Sequence, residues 1–155
     1  MKLIEHIGII GAIASIVSVV WTSINVGLVR KAKKDIYTKI KVVKYSESIG
    51  VYKSVLIHLK KIATKSKIPL GLNFDDIIGC LNDYYESLSK VKSDITEDGY
   101  SEIEKKMDKL KELISTASLT DRKDSGKIIK IYTEIYYHVI EINSEVEKYN
   151  QQCIK

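Results

Sequence analysis

The chain has 155 residues, 25 basic and 20 acidic for a net charge of +5, with 45 % hydrophobic composition, one proline and two cysteines. This length allows one domain with its own core, and the absence of internal repeats and low-complexity tracts excludes a solenoid or a biased tail. The two cysteines, Cys80 and Cys153, are too few for a disulfide framework and read as ordinary side chains in a reducing compartment.

The first element is an apolar run over 7–29 that contains no charged residue. Its 23 residues would span roughly 35 Å as a helix, against about 30 Å of hydrocarbon. The twelve Ile, Val and Leu residues in it favour insertion by about 4 to 7 kcal/mol before the polar residues subtract some. Within the run, Gly8, Gly11, Ser15, Ser18, Thr22 and Asn25 recur at alternating steps of three and four. Such spacing keeps a small, polar stripe on one helix face, where neighbouring helices approach closely or water is lined. A secretory signal is the competing reading. No small-x-small site follows the run, however, and it ends in the basic cluster Arg30, Lys31, Lys33 and Lys34, so an uncleaved transmembrane anchor is expected. The same cluster predicts a single-pass protein with its N-terminus outside, its C-terminal domain cytoplasmic, and these cations at the membrane surface.

Residues 30–155 should form one cytoplasmic helical domain. Ile36, Ile40, Val43, Val51, Val55, Leu59 and Ile62 predict a basic helix over 31–66, continuous with the anchor or broken between Ser46 and Gly50. Pro69 and Gly71 end it, and Asn73 is the expected N-cap of a second helix over 74–93, which points Ile77, Ile78, Leu81, Tyr84, Tyr85, Leu88 and Val91 inward. A third helix over 100–117 places Ile103, Met107, Leu110, Ile114 and Ala117 inward. A fourth, reaching about residue 150, does so with Ile128, Tyr132, Ile135, Val139, Ile142 and Val146. Short loops between these helices predict an all-α four-helix bundle.

Charge is uneven along the domain. Residues 30–67 hold twelve basic and two acidic residues, a balance of +10, whereas 68–155 hold twelve basic and 17 acidic, a balance of −5. Headgroup attraction accounts for the cations nearest the anchor. Lys53, Lys60, Lys61, Lys65 and Lys67 are left to pair with the acidic helices, to face solvent, or to bind an anion, with Lys53, His58, Lys60 and Lys61 as the candidate anion site. No zinc pattern, helix-turn-helix or arginine-rich arm points to nucleic acid.

Enzyme chemistry is not expected. His6, His58 and His138 lie in separate segments, and no metal-binding, phosphate-loop or nucleophile motif is present. Glu134, His138 and Glu141 share a helix face, but a di-metal bundle needs Glu-x-x-His on two helices. The triad therefore reads as a solvated histidine between carboxylates. No metal, cofactor or catalytic residue is implied.

The layout, one N-terminal membrane helix feeding a small helical bundle, resembles the membrane effectors of prokaryotic antiviral defence, including CRISPR-ancillary proteins with a HEPN-like bundle. The resemblance implies a homo-oligomer that breaches or depolarises the inner membrane. HEPN ribonucleases place His a few residues after Arg. Here Arg122 precedes His138 by 16 and Arg30 precedes His58 by 28, so the bundle would be catalytically inactive. Two functions are thus expected: a pore or membrane-disrupting assembly built on the polar stripe, or a membrane-anchored adaptor whose bundle binds a protein partner or an activating anionic ligand. Membrane lipids and further copies of the chain are the expected partners in the first.

Overall fold

The computed structural model describes residues 2–65, 67–95 and 97–154, with side chains described over 15–65, 67–95 and 101–153. Among the described residues the fold is all-α, with four helices: α1 (Lys2–Ala63), α2 (Phe74–Lys92), α3 (Glu97–Leu119) and α4 (Ser125–Ile154). No strand occurs among the described residues. Residues 1–39 and 40–155 form two compact units.

In the unit 40–155, the last part of α1 packs with α2, α3 and α4 as a four-helix bundle. Lys44 pairs with Asp94 at 2.8 Å and Ser48 meets Ser87 at 3.2 Å, so α1 and α2 run in opposite directions. Lys92 bonds to Glu104 across the short α2–α3 turn, and Lys106 of α3 reaches Glu141 of α4 at 3.1 Å. Each helix is antiparallel to the next, as short connections require.

The core takes one stripe from each helix: Val55, Leu59 and Ile62; Ile77, Leu81, Tyr84 and Leu88; Ile103, Met107 and Leu110; Tyr132, Ile135, Val139, Ile142 and Val146, all nearly or fully buried. These residues recur at three- and four-residue steps, so helix formation and burial reinforce each other. Tyr45, Ser48 and Ser87 are also buried. The Ser87 hydroxyl donates to the Tyr84 carbonyl at 2.7 Å, which leaves its oxygen to accept from Ser48.

The chain termini of the helices follow local chemistry. Asn73 is extended at φ −91°, and its side chain accepts from the Asp75 N–H at 3.1 Å, capping α2 as expected. Just upstream, Gly71 has φ +77°, which an L side chain adopts only with strain. Asp124 caps α4, accepting from the Lys127 N–H at 3.1 Å.

Of the two alternatives the sequence leaves open for α1, continuity or a break between Ser46 and Gly50, the structure shows continuity. A glycine costs an exposed helix about 1 kcal/mol, and burial of Tyr45, Ser48 and Val55 around Gly50 outweighs it. α3 begins at Glu97 rather than at residue 100. The turn before it is short because Asp94 N–H bonds back to Val91 and Ile95 is buried.

In the unit 1–39 the described structure is helix alone, and every side chain from Ser15 to Tyr37 is exposed. Among the described residues no helix is long and apolar enough to cross a membrane. The run over 7–29 that the sequence marks as an anchor is described, in its side chains, only from Ser15 onward; residues 7–14 lie outside.

Candidate functional site

At about 100° per residue, Ser15, Ser18, Thr22 and Asn25 fall within a sector of about 80° on α1. Gly8 and Gly11 lie outside the described side chains. The Thr22 hydroxyl donates to the Ser18 carbonyl at 2.8 Å, and Ser23 does the same to Val19. Their protons are therefore committed to their own helix, and only their oxygens remain to accept from a neighbour. The Asn25 amide keeps donors as well as an acceptor.

Large apolar side chains occupy the rest of the circumference. Ile16, Val19, Trp21, Ile24, Leu28 and Val29 are each more than half exposed, with Trp21 at 68 %. A helix apolar on most of its surface is ordinarily buried in protein or in lipid. Below it, Arg30, Lys33, Lys34 and Tyr37 line one shallow groove, while Lys31 stands off that face. Their spacing of three, one and three residues brings three cations and a phenol ring together.

On the bundle, the candidate anion site is split. Lys53 and Lys60 are exposed on one outward face of α1 with Lys61 at its edge, and Ile57, 62 % exposed, lies between them. His58 lies about 140° around the helix from Lys53 and is half-buried. None of the three lysines has an ion-pair partner among the described residues. Of the three alternatives left open for them, pairing with acidic residues falls instead to lysines nearer the start of the bundle: Lys44 bonds to the Asp94 carboxylate, and Lys41 to the Asp94 carbonyl at 3.1 Å. Asp94 was not marked in the sequence because its role depends on the α2–α3 turn returning to α1.

His138 is not a free ligand. Its Nε2–H donates to the Lys106 carbonyl at 2.8 Å, and Nδ1 stands 3.9 Å from Glu141. Lys106 itself is surrounded by Glu102, Glu141 and Glu145 at 3.2, 3.1 and 3.7 Å. Burial alone would lower its pKa, but the hydrogen bonds it donates to the Glu141 and Glu102 carboxylates carry it above the ordinary lysine value. Of the two carboxylates flanking His138 along α4, Glu141 is thus neutralised by a lysine on the facing helix, which periodicity on α4 alone cannot reveal. Among the described residues no His, Cys, Asp and Glu cluster could hold a metal ion. Cys80 and Cys153 are both unpaired thiols and half-buried.

A small cleft of about 70 Å³ opens where α2 begins, α3 ends and α4 begins. Phe74, Ile78, Ala117 and Ile128 form its apolar floor, and Arg122, paired with Asp75, closes its rim. Tyr132 lies beneath, its phenol pushed up to about 12 by burial, with Arg122 opposing and Asp75 adding to the shift.

Compared with family models, curated proteins and solved structures, the chain matches none.

Proposed function

We propose that this chain is a single-pass, homo-oligomeric membrane protein that breaches the membrane it sits in, as an effector of antiviral defence. The observation that carries the reading is the helix over 15–29, uncharged and with large apolar side chains exposed around most of its surface. Those 15 residues alone reach about 22 Å, so crossing requires residues 7–14 as well, for roughly 35 Å in total. The Arg30, Lys31, Lys33 and Lys34 cluster then lies at the cytoplasmic headgroups, each cation adding about 1 kcal/mol of attraction to an anionic leaflet.

Copies assemble through the stripe. Asn25 supplies amide hydrogen bonds across the seam, at roughly 0.6 to 2 kcal/mol each, while Ser18 and Thr22 present small hydroxyl groups, that of Thr22 as an acceptor. If enough copies form a ring, the same uncharged groups line water and conduct without selectivity.

The test is membrane potential and growth in cells expressing the intact chain beside the Ser18→Leu/Thr22→Leu/Asn25→Leu variant, with insertion of both checked by fractionation. Depolarisation by the first and not by the second is expected. Equal depolarisation by both removes the stripe from the mechanism, and none by either removes the effector reading.

A second reading, a membrane-anchored adaptor, is favoured by the cleft at Phe74, Arg122 and Tyr132, which is shaped for a single small side chain of a protein partner. The triple variant would leave that function intact.

A further inference from the structure

The bundle carries two exposed faces of opposite charge that its own fold leaves unpaired. On α1, Lys53 and Lys60 flank Ile57, which is 62 % exposed. On α2, Asp76 and Asp83 flank Gly79, with Glu86 one turn further, all exposed. Among the described residues none of these five charged side chains has an ion-pair partner, although the nearby pair Lys90–Glu47 shows that α1 and α2 do exchange charge where they meet.

The spacings correspond. Ile57 lies four residues after Lys53 and three before Lys60; Gly79 lies three after Asp76 and four before Asp83. An antiparallel alignment of the two faces therefore sets Lys53 opposite Asp83, Ile57 opposite Gly79 and Lys60 opposite Asp76 together. Each face spans about 10 Å between its outer charges. A Cβ placed on Gly79 would meet nothing within 4 Å, so the exposed Ile57 side chain faces an open gap over bare backbone.

We propose that these faces bind each other between two copies of this chain, α1 of one against α2 of the next. The inference rests on the self-association proposed above and adds a second interface to it, on the bundle. Within one copy, Tyr52, just before Lys53, stands against Tyr84, just after Asp83, with ring centroids 6.2 Å apart. Lys53 and Asp83 are therefore at the same level of the bundle. Copies standing side by side, at one height and in one direction, satisfy the register with no axial shift. Closed rotational symmetry about an axis parallel to the helices imposes that condition, and copies inserted with one orientation in a shared membrane meet it.

Charge complementarity of this kind sets register and partner choice. The full chain, with Cys80 and Cys153 replaced by Ser, is expressed in two differently tagged forms carrying Ile57→Cys or Gly79→Cys, and isolated membranes are mildly oxidised. A disulfide between the two forms is expected to dominate over either like-with-like product. Adding Lys53→Glu/Lys60→Glu to both forms should lower its yield about tenfold, and adding Asp76→Lys/Asp83→Lys as well should restore it. Positions 53, 57, 60, 76, 79 and 83 are all exposed, so these substitutions should leave the circular dichroism of the purified Cys80→Ser/Cys153→Ser chain unchanged. Like-with-like products in equal yield, or no response to charge reversal, overturn the bundle interface. If the tags still co-purify in that case, assembly through the stripe survives. If they do not co-purify at all, the self-association reading falls with it.

Discussion

Tyr84 occupies the middle of the bundle with no exposed surface, and its hydroxyl has no hydrogen-bond partner among the described residues. Burial, followed by the nearby Tyr52 and Glu147, holds its phenol above the ordinary tyrosine value. An unpartnered buried hydroxyl costs about 1 to 3 kcal/mol. Tyr84→Phe is therefore expected to leave the melting temperature unchanged or raise it, whereas Tyr84→Ala should cost about 3 to 5 kcal/mol through the cavity it opens. Thermal melts of the two variants distinguish hydroxyl from ring. The burial of Tyr84 was legible from its place in the Ile77–Leu81–Leu88 stripe. Its missing partner was not, because that depends on which side chains three other helices present at its level.

Among the elements, the ends are where local chemistry decides most. Removing the α2 cap with Asn73→Ala should cost about 0.5 to 2 kcal/mol in denaturant unfolding. Asp124, at the start of α4, is held below its ordinary pKa of 3.8 chiefly by the Lys127 backbone N–H, then by the Lys127 ammonium. A carboxylate depressed by folding contributes stability above its unfolded pKa, and this is lost as pH falls through its lower folded value. The stability difference between the natural chain and Asp124→Asn should hold from neutral pH to about pH 4 and shrink below it. Helix positions and the Asn73 cap were legible because three-four spacing and capping residues are local signals. Continuity through Gly50 was not, since the packing of Tyr45, Ser48 and Val55 overrides a weak propensity. Nor was the grouping of His138 with Lys106, which requires knowing that α3 and α4 lie side by side.

For the whole molecule, the division at residue 40 separates two kinds of surface. Among the described residues, every buried core side chain belongs to the unit 40–155. Expressed alone, this segment should keep its helical circular dichroism and unfold cooperatively, while the intact chain should partition with membranes. The charge imbalance read from the sequence, +10 over 30–67 against −5 beyond, foretold that basic and acidic surfaces would occur together. It did not say which cations would be used internally. The fold assigns Lys41 and Lys44 to Asp94 and leaves Lys53, Lys60 and Lys61 outward. Sequence alone grouped His58 with those lysines, because proximity along a chain does not separate the two sides of a helix.

Trp21, exposed on the apolar helix, is the only tryptophan in the chain, whereas nine of the ten tyrosines belong to the unit 40–155. Nature has thereby placed a single fluorophore on the part of the molecule whose surroundings matter most. Excited at the red edge of its absorption, where tyrosine is silent, it should emit at long wavelength in water and shift to the blue on addition of lipid vesicles, with quenching by brominated acyl chains reporting its depth. The same sample can be followed in the near ultraviolet through the bundle's phenols, so insertion and unfolding can be timed independently in an unlabelled protein.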